Sequence, residues 1–273
     1  ATGDDNMRCS TPSHTQPLRR VGIWSIMHLW ETVVDEETTQ KLLTINRQFY
    51  ERFARSFADA RSALQPSLVR ALARVADGDA VLDAGCGDGR AARALDAMRR
   101  RVAYLGVDCS AALIELARER CAGLEGVQAD FAVADLTKPG WARLVGSRRF
   151  GVVTCLAVLH HIPGQEARQR IVRDLAALLA PAGCLVVSTW QFMSSERWQK
   201  RIVPWATIGI DDADLEAGDY LLDWRRGGYG LRYCSMIAED DLRALCVQAG
   251  LGVEDVARGD GGLNLFVTAR RPS

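Results

Sequence analysis

Val81-Leu82-Asp83-Ala84-Gly85-Cys86-Gly87-Asp88-Gly89-Arg90 is the stretch that decides the fold. A short apolar strand ends in the carboxylate of Asp83, and glycines follow at alternate positions before the helical segment Ala91–Met98. A strand that turns through glycines into a helix gathers unpaired N–H groups at one point, and glycine lets a ligand lie against the backbone there. A dinucleotide fold asks for G-x-G-x-x-G. Here the spacing is G-x-G-x-G, and Arg90 stands where the third glycine of that motif belongs. Asp83 also fits poorly beside a pyrophosphate and suits a cationic ligand such as an amino-acid ammonium. A nicotinamide dehydrogenase is therefore excluded.

Two further acids lie downstream. Tyr104-Leu105-Gly106-Val107-Asp108-Cys109 is a second apolar strand, and Asp108 follows Asp83 by 25 positions. An acid at the end of that strand accepts both hydroxyls of a ribose. Taken alone, it is equally a cap for the helix that starts at Ser110. Ala132-Val133-Ala134-Asp135-Leu136 ends a third strand, where a carboxylate can accept from an adenine amino group or simply begin a turn.

Outward from this motif the chain alternates. Strands are expected over 103–108, 127–133, 150–156 and 184–190, and helices over 110–120, 165–179 and 239–249. Short strands separated by helices give a parallel sheet covered on both faces. Gly252–Val256 and Asn264–Ala269, with Gly259, Gly261 and Gly262 between them, read as a hairpin that turns the last strand antiparallel. Before the motif, Leu42, Ile45, Phe49, Phe53 and Phe57 recur at helical spacing, and Pro66 opens a second helix. The fold expected is α/β, a seven-stranded, mostly parallel, doubly wound Rossmann-like sheet with an antiparallel last strand and a helical N-terminal cap. Residues 191–235 break the rhythm and read as a long irregular insertion, ordered by its tryptophans and tyrosines. Residues 1–20 are polar and aperiodic, and 1–26 read as a disordered extension, with the domain proper over 27–273, starting near Met27.

Composition bounds the function. Lys+Arg 34 against Asp+Glu 34 excludes a globally basic surface, although not a local patch. The apolar stretches are too short to cross a membrane, and the eight cysteines contain no C-x-x-C pair. Reduced thiols, a cytoplasmic location and no metal site are the expectation.

With Thr154-Cys155-Leu156-Ala157-Val158-Leu159-His160-His161 and Pro181-Ala182-Gly183, these segments resemble the class I S-adenosylmethionine-dependent methyltransferases. The resemblance covers about residues 40–270. It implies S-adenosylmethionine as cofactor. Asp83 and the backbone from Gly85 through Gly87 to Gly89 would hold its methionine part, and Asp108 its ribose. Asp135 and Leu136 would flank its adenine, with Leu156 and Ala157 on the methyl side. Tyr50 and Cys109 would complete that site.

A narrower resemblance is to the tRNA (carboxymethyluridine-5-O-) methyltransferases, which esterify a carboxymethyl group on the wobble uridine. It rests on Tyr50, Arg61, the His160-His161 pair, Asp219, Trp224, Arg232 and Tyr233. The chain departs from that pattern at Ile162-Pro163-Gly164 and at Leu265. The implied partners are tRNA and a small zinc-binding activator protein.

Methyl transfer from a sulfonium is an in-line displacement in which the protein mainly aligns and desolvates. A carboxylate nucleophile is already ionised near neutral pH and needs a cation to hold it, for which Arg61, Arg225 and Arg232 are candidates. A hydroxyl or amine would need a base, for which His160 or His161 is the candidate. His160, Arg61, Arg232 and Tyr233 form the catalytic set on this reading. A concentrated positive surface beside the cofactor mouth favours tRNA, and a closed apolar pocket favours a small metabolite, with 191–235 as a substrate cap. The remaining alternative is a methyltransferase-like binding subunit that does not turn over.

Overall fold

The computed structural model describes residues 34–61 and 64–272, so the expectations for 1–26 and for a start near Met27 lie outside the described residues. α1 (Glu36–Asp59) begins at Asp35, whose side chain accepts from Thr38 N at 2.8 Å. Its apolar face buries Leu42, Phe49, Phe53 and Phe57, as their spacing dictates. α2 (Pro66–Leu72) starts at the proline. There follow β1 (Ala80–Ala84), α3 (Arg90–Ala97), β2 (Val102–Asp108), α4 (Ala111–Arg120), β3 (Val127–Val133) and β4 (Phe150–Leu156). A single 3-10 turn, Leu159–His161, leads to α5 (Gln165–Ala177) and β5 (Leu179–Trp190). The chain then forms α6 (Glu196–Gln199), β6 (Ile202–Val203), β7 (Asp219–Trp224), β8 (Gly230–Ser235), α7 (Glu239–Gln248), β9 (Gly252–Gly259) and β10 (Asn264–Arg270).

Seven strands form one sheet in the order β3-β2-β1-β4-β5-β10-β9. β1 through β5 run parallel, and β10 pairs antiparallel with both β5 and β9. Alternation along each strand feeds two cores. Val81 and Tyr104 pack with Leu72 and Leu95 on one face. Leu82, Leu105 and Val107 pack with Ile171, Leu175 and Leu242 on the other. Both faces are thus buried, which is why the strands read as near-continuous apolar runs.

Two differences from the sequence reading stand out. β5 starts at Leu179, because Leu179 pairs with Phe150 before the register shifts, so Pro181-Ala182-Gly183 lies inside the strand, with Ala182 at φ 57°. The second difference is the insertion. It carries a three-stranded antiparallel sheet, β6-β7-β8, instead of irregular chain. Gly227 (φ 72°) and Gly228 (φ 132°) make the β7–β8 connection. That glycine pair between two aromatic segments was the available signal. Among the described residues, no helix is long and apolar enough to cross a membrane.

Candidate functional site

The carboxyl ends of β1, β2 and β4 and the loop after β3 open into a cavity of about 160 Å³ roofed by α1. Asp83 is 3% exposed and stands at the end of β1. Thr154 donates to its Oδ1 and Tyr104 to its Oδ2, both at 2.6 Å. Burial raises its pKa against those two bonds. Each of its oxygens accepts one hydroxyl and keeps a lone pair, and the residue lines the cavity.

Gly85 at φ 81° turns the chain where a side chain would overlap Val158 Cγ2. Left-handed strain and overpacking add there. Gly85→Ala is expected to destabilise by about 2–4 kcal/mol, lowering the melting temperature by roughly 5–10 °C. A melting temperature within 1 °C of the parent's, on the order of error, would remove this close approach from the account.

Asp108 lies across from the glycines. Gly87 N donates to its Oδ2 at 3.0 Å and Ser110 N to its Oδ1 at 2.9 Å. Burial pushes its pKa up to about 6. Cys109 is exposed at the cavity lining, and its thiol is pushed up by partial desolvation and by the carboxylates of Asp108 and Asp135, so it is a neutral wall. Asp135 takes Thr137 N and Oγ1 on Oδ1, at 2.9 and 2.6 Å, and Arg47 on Oδ2 at 3.0 Å. Leu136 and Ala134 complete that end.

α1 supplies Asn46, Arg47, Tyr50 and Phe57 to the same cavity. Tyr50 and His161 meet there. His161 Nδ1 is 3.0 Å from Tyr233 O, an acceptor only, so Nδ1 carries the proton. Nε2 therefore accepts from Tyr50 OH at 2.7 Å. Burial and the charge of Arg232 lower the His161 pKa to about 3, and burial raises that of Tyr50 to about 12. Both groups are neutral across the physiological range.

A second cavity of about 600 Å³ adjoins the first at Arg61, Leu68, Arg90, Leu156 and Ala157, which line both. Ala157 holds φ 59°, and its N–H reaches Ser188 O and Oγ at 3.1 and 3.0 Å, so the hydrogen bonds keep the strained turn in place. Trp190, Trp198 and Trp224 wall this cavity, with Arg197, Arg201, Arg225 and Arg226 toward its rim. Asp223 accepts from Arg201 and Arg225 at 3.1 and 2.7 Å.

At its base is Arg232, 1% exposed. Its guanidinium carbon stands 4.7 Å from the Trp190 ring centre, 5.5 Å from Phe49, 5.7 Å from Trp224 and 6.0 Å from Trp198. Its Nε and Nη1 have no hydrogen-bond partner among the described residues. Neither Arg232 nor Arg61 forms an ion pair there. The Arg61 guanidinium lies 4.0 Å from the Phe57 ring centre, and burial lowers its pKa to about 10, still a cation at neutral pH.

The structure separates the four residues of the expected catalytic set. Arg61 and Arg232 line the second cavity. His160 is 1% exposed and lines neither cavity; Trp190 N donates to its Nδ1 at 3.3 Å. Burial and the neighbouring His161 lower its pKa well below the usual value. Tyr233 is fully buried, its hydroxyl 2.7 Å from Asp219 Oδ1 and 3.3 Å from Arg168. His160, His161 and Cys234 bring metal-ligating atoms within 4.8 Å of one another. The Arg232 and Arg61 charges that depress both histidines would equally oppose a cation there. Asn46, Arg47 and Arg90 were missed. Asn46 lies one helical turn before Tyr50, which is the spacing that could have found it.

A family model described as a methyltransferase domain matches residues 54–256. The chain belongs to the methyltransferase domain family. The seven-stranded sheet with its antiparallel end is the fold expected from its sequence. Over 159 residues (57% of this chain, 32% of the relative) it is 30% identical to the probable tRNA methyltransferase 9B of Mus musculus. Over 167 residues (61% of this chain, 23% of the relative) it is 28% identical to tRNA (carboxymethyluridine(34)-5-O)-methyltransferase ALKBH8 of Macaca fascicularis. Over 115 residues (41% and 44%) it is 34% identical to the ubiquinone biosynthesis O-methyltransferase of Coxiella burnetii. The chain thus spans about a third or less of the length of the two tRNA enzymes. Among solved structures, a methyltransferase in complex with the Trm112 methyltransferase activator of Haloferax volcanii superposes with a TM-score of 0.57 at 17% identity, covering 83% of this chain and 97% of that one.

Proposed function

We propose that this methyltransferase uses S-adenosylmethionine to methylate a carboxylate on a modified tRNA wobble uridine, forming a methyl ester. The observation that carries the reading is the buried Arg232, with two unpaired nitrogens at the base of an aromatic cavity that adjoins the first. The first cavity is the donor site and the second the acceptor site.

The donor-site residues fit the cofactor. Asp108 would take the ribose hydroxyls, because each of its oxygens keeps a lone pair after its one backbone bond. Asp135 and Leu136 would flank the adenine, and Asp83 with the Gly85–Gly89 backbone the methionine part. Tyr50, Cys109, Leu156 and Ala157 wall the rest. Bound there, S-adenosylmethionine supplies a methyl group activated by its sulfonium, so that a C–O bond replaces the C–S bond and S-adenosylhomocysteine leaves.

An anionic acceptor suits what the chain offers. A carboxylate needs no base, and the two histidines are neutral with low proton affinity. Arg61 and Arg232 hold and orient the carboxylate, since guanidinium binds it in plane. A tryptophan face takes the base, and the arginines at the rim take phosphates. The 191–235 segment is the acceptor cap of a 27–273 domain. A small zinc-binding activator, of the kind implied by the resemblance, is the proposed partner, and the cytoplasm the proposed location.

The test uses S-adenosylmethionine labelled on its methyl group, with a small-RNA fraction and, separately, a metabolite extract. Label in RNA released as methanol by mild alkali is expected. Label only in small molecules would move the acceptor to a metabolite, and no transfer with the donor bound would leave a binding subunit or a missing activator.

The donor site also predicts a pH dependence. Asp108 is ionised above its raised pKa of about 6 and neutral below it. Calorimetric affinity for S-adenosylhomocysteine is expected to be flat above that value and to fall up to about tenfold per pH unit beneath it. A flat profile down to pH 4.5 (roughly the ordinary carboxylate range) would remove Asp108 from the ribose.

A further inference from the structure

We propose that Asn46 is a positioning residue that couples the two cavities, so that filling the donor cavity fixes the acceptor arginine. The proposal rests on the donor and acceptor assignment above.

β8 is an edge strand of the three-stranded sheet, with β7 on one side only. An edge strand leaves backbone groups to be paired by something else. At Tyr233 that partner is the Asn46 side chain, which is buried. Asn46 Nδ2 donates to Tyr233 O at 3.1 Å, and Tyr233 N donates to Asn46 Oδ1 at 2.8 Å. One side-chain amide thus meets both outward backbone groups of Tyr233, whose carbonyl also accepts from His161 Nδ1. The same Nδ2 donates to His161 O at 3.1 Å, in the turn that follows β4. The far end of Tyr233 is held by Asp219. The residue is pinned at both backbone and hydroxyl.

Arg232 is its neighbour in the strand. Successive side chains in a strand point to opposite faces, so whatever fixes Tyr233 on one side fixes Arg232 on the other. Asn46 itself belongs to α1, the roof of the donor cavity. A donor that packs against α1 therefore acts through Asn46 on β8 and sets Arg232 among the tryptophans of the acceptor cavity. A change at one site that biases the other must be reciprocal, so an acceptor tightens the donor by the same factor.

The readout is built in. Trp190, Trp198 and Trp224 line the acceptor cavity, and no tryptophan among the described residues lines the donor cavity. S-adenosylhomocysteine is titrated into the full chain with calorimetry for binding and tryptophan fluorescence with acrylamide quenching for the acceptor cavity. The parent is expected to show reduced quenching, by about twofold, at donor-site saturation. Asn46→Asp keeps the acceptor for Tyr233 N and loses the donor to both carbonyls. At concentrations of S-adenosylhomocysteine that saturate it, as judged by calorimetry, it is expected to lose the quenching change.

Asn46→Ser, smaller and uncharged, serves if the first variant does not fold, as judged by circular dichroism, and carries the same expectation. Saturation of the parent with no change in quenching overturns the coupling and leaves the donor assignment standing. An unchanged response in the variant does the same. A parent that does not bind S-adenosylhomocysteine overturns both. A coupled response with methyl transfer to small molecules only leaves this proposal standing and removes the tRNA reading.

Discussion

Asp108→Ala is expected to weaken S-adenosylhomocysteine binding by about 1,000-fold or more, because charge-assisted hydrogen bonds contribute about 1.5–3 kcal/mol each. Two such bonds to a ribose would be lost. The two that Asp108 accepts from Gly87 N and Ser110 N would also go, leaving the glycine loop untied from the end of β2. Asp108→Asn separates these effects. It keeps one carbonyl oxygen for a backbone N–H and brings an amide donor against the other, so an intermediate loss is expected. Calorimetry at pH 8 (about two units above the Asp108 pKa) measures all three proteins with the carboxylate ionised. Affinity within threefold of the parent in Asp108→Ala, less than roughly 1 kcal/mol, would withdraw the ribose assignment.

The second large effect is at Arg232. Arg232→Met is expected to lower kcat by about 1,000-fold, because two guanidinium bonds to the acceptor carboxylate at about 1.5–3 kcal/mol each would vanish. Donor affinity should stay within about threefold, less than 1 kcal/mol.

Stability distinguishes this from a merely structural role. The methionine gives up the attraction of four aromatic rings and also relieves two buried N–H groups of their missing partners. These terms oppose each other, so the melting temperature should stay within about 3 °C, on the order of 1 kcal/mol. Arg232→Lys should not restore transfer, since an ammonium cannot bind a carboxylate through a planar fork. Normal turnover in Arg232→Met would take Arg232 out of the acceptor site. A melting temperature that collapses with the activity would make its part structural.

The histidines bear on the same chemistry. A histidine base would place an inflection near its ordinary pKa in the pH dependence of kcat/KM, while His161 here is held down to about 3 and His160 also lies well below. The rate is expected to be level between pH 7 and 9 (about where a carboxylate acceptor stays ionised). At saturating S-adenosylmethionine, which removes the Asp108 dependence, a rise in kcat through pH 6.5, roughly the free imidazole value, would restore a histidine base and with it a neutral nucleophile.

The order of strands and helices could be read from the chain because it is written in local chemistry. Alternating or continuous apolar runs mark the strands. The glycines from Gly85 to Gly89 mark the turn into α3, and the acids at Asp83 and Asp108 fall on strand ends. Those positions converge in space because parallel strands place all their carboxyl ends on one edge. Legibility fails in the insertion. β7 and β8 carry charges on a buried pair of strands, with Asp223 and Arg232 both in the interior, so their pattern does not read as strand until the partners are known.

The amino-acid sequence by itself therefore determined the sheet, the glycine turn and the acids beside it, since each depends on residues close together in the chain. Tertiary structure alone decided what each polar group has left to offer. Each oxygen of Asp83 is tied to a hydroxyl supplied by β2 or β4, and His160 faces Trp190 instead of a cavity. Asn46 completes a strand edge that lies 187 positions away, and Arg232 reaches its cavity with two buried nitrogens that have no partner among the described residues. Partnership in hydrogen bonds and exclusion from water are properties of neighbours in space, and spacing along a chain does not encode them.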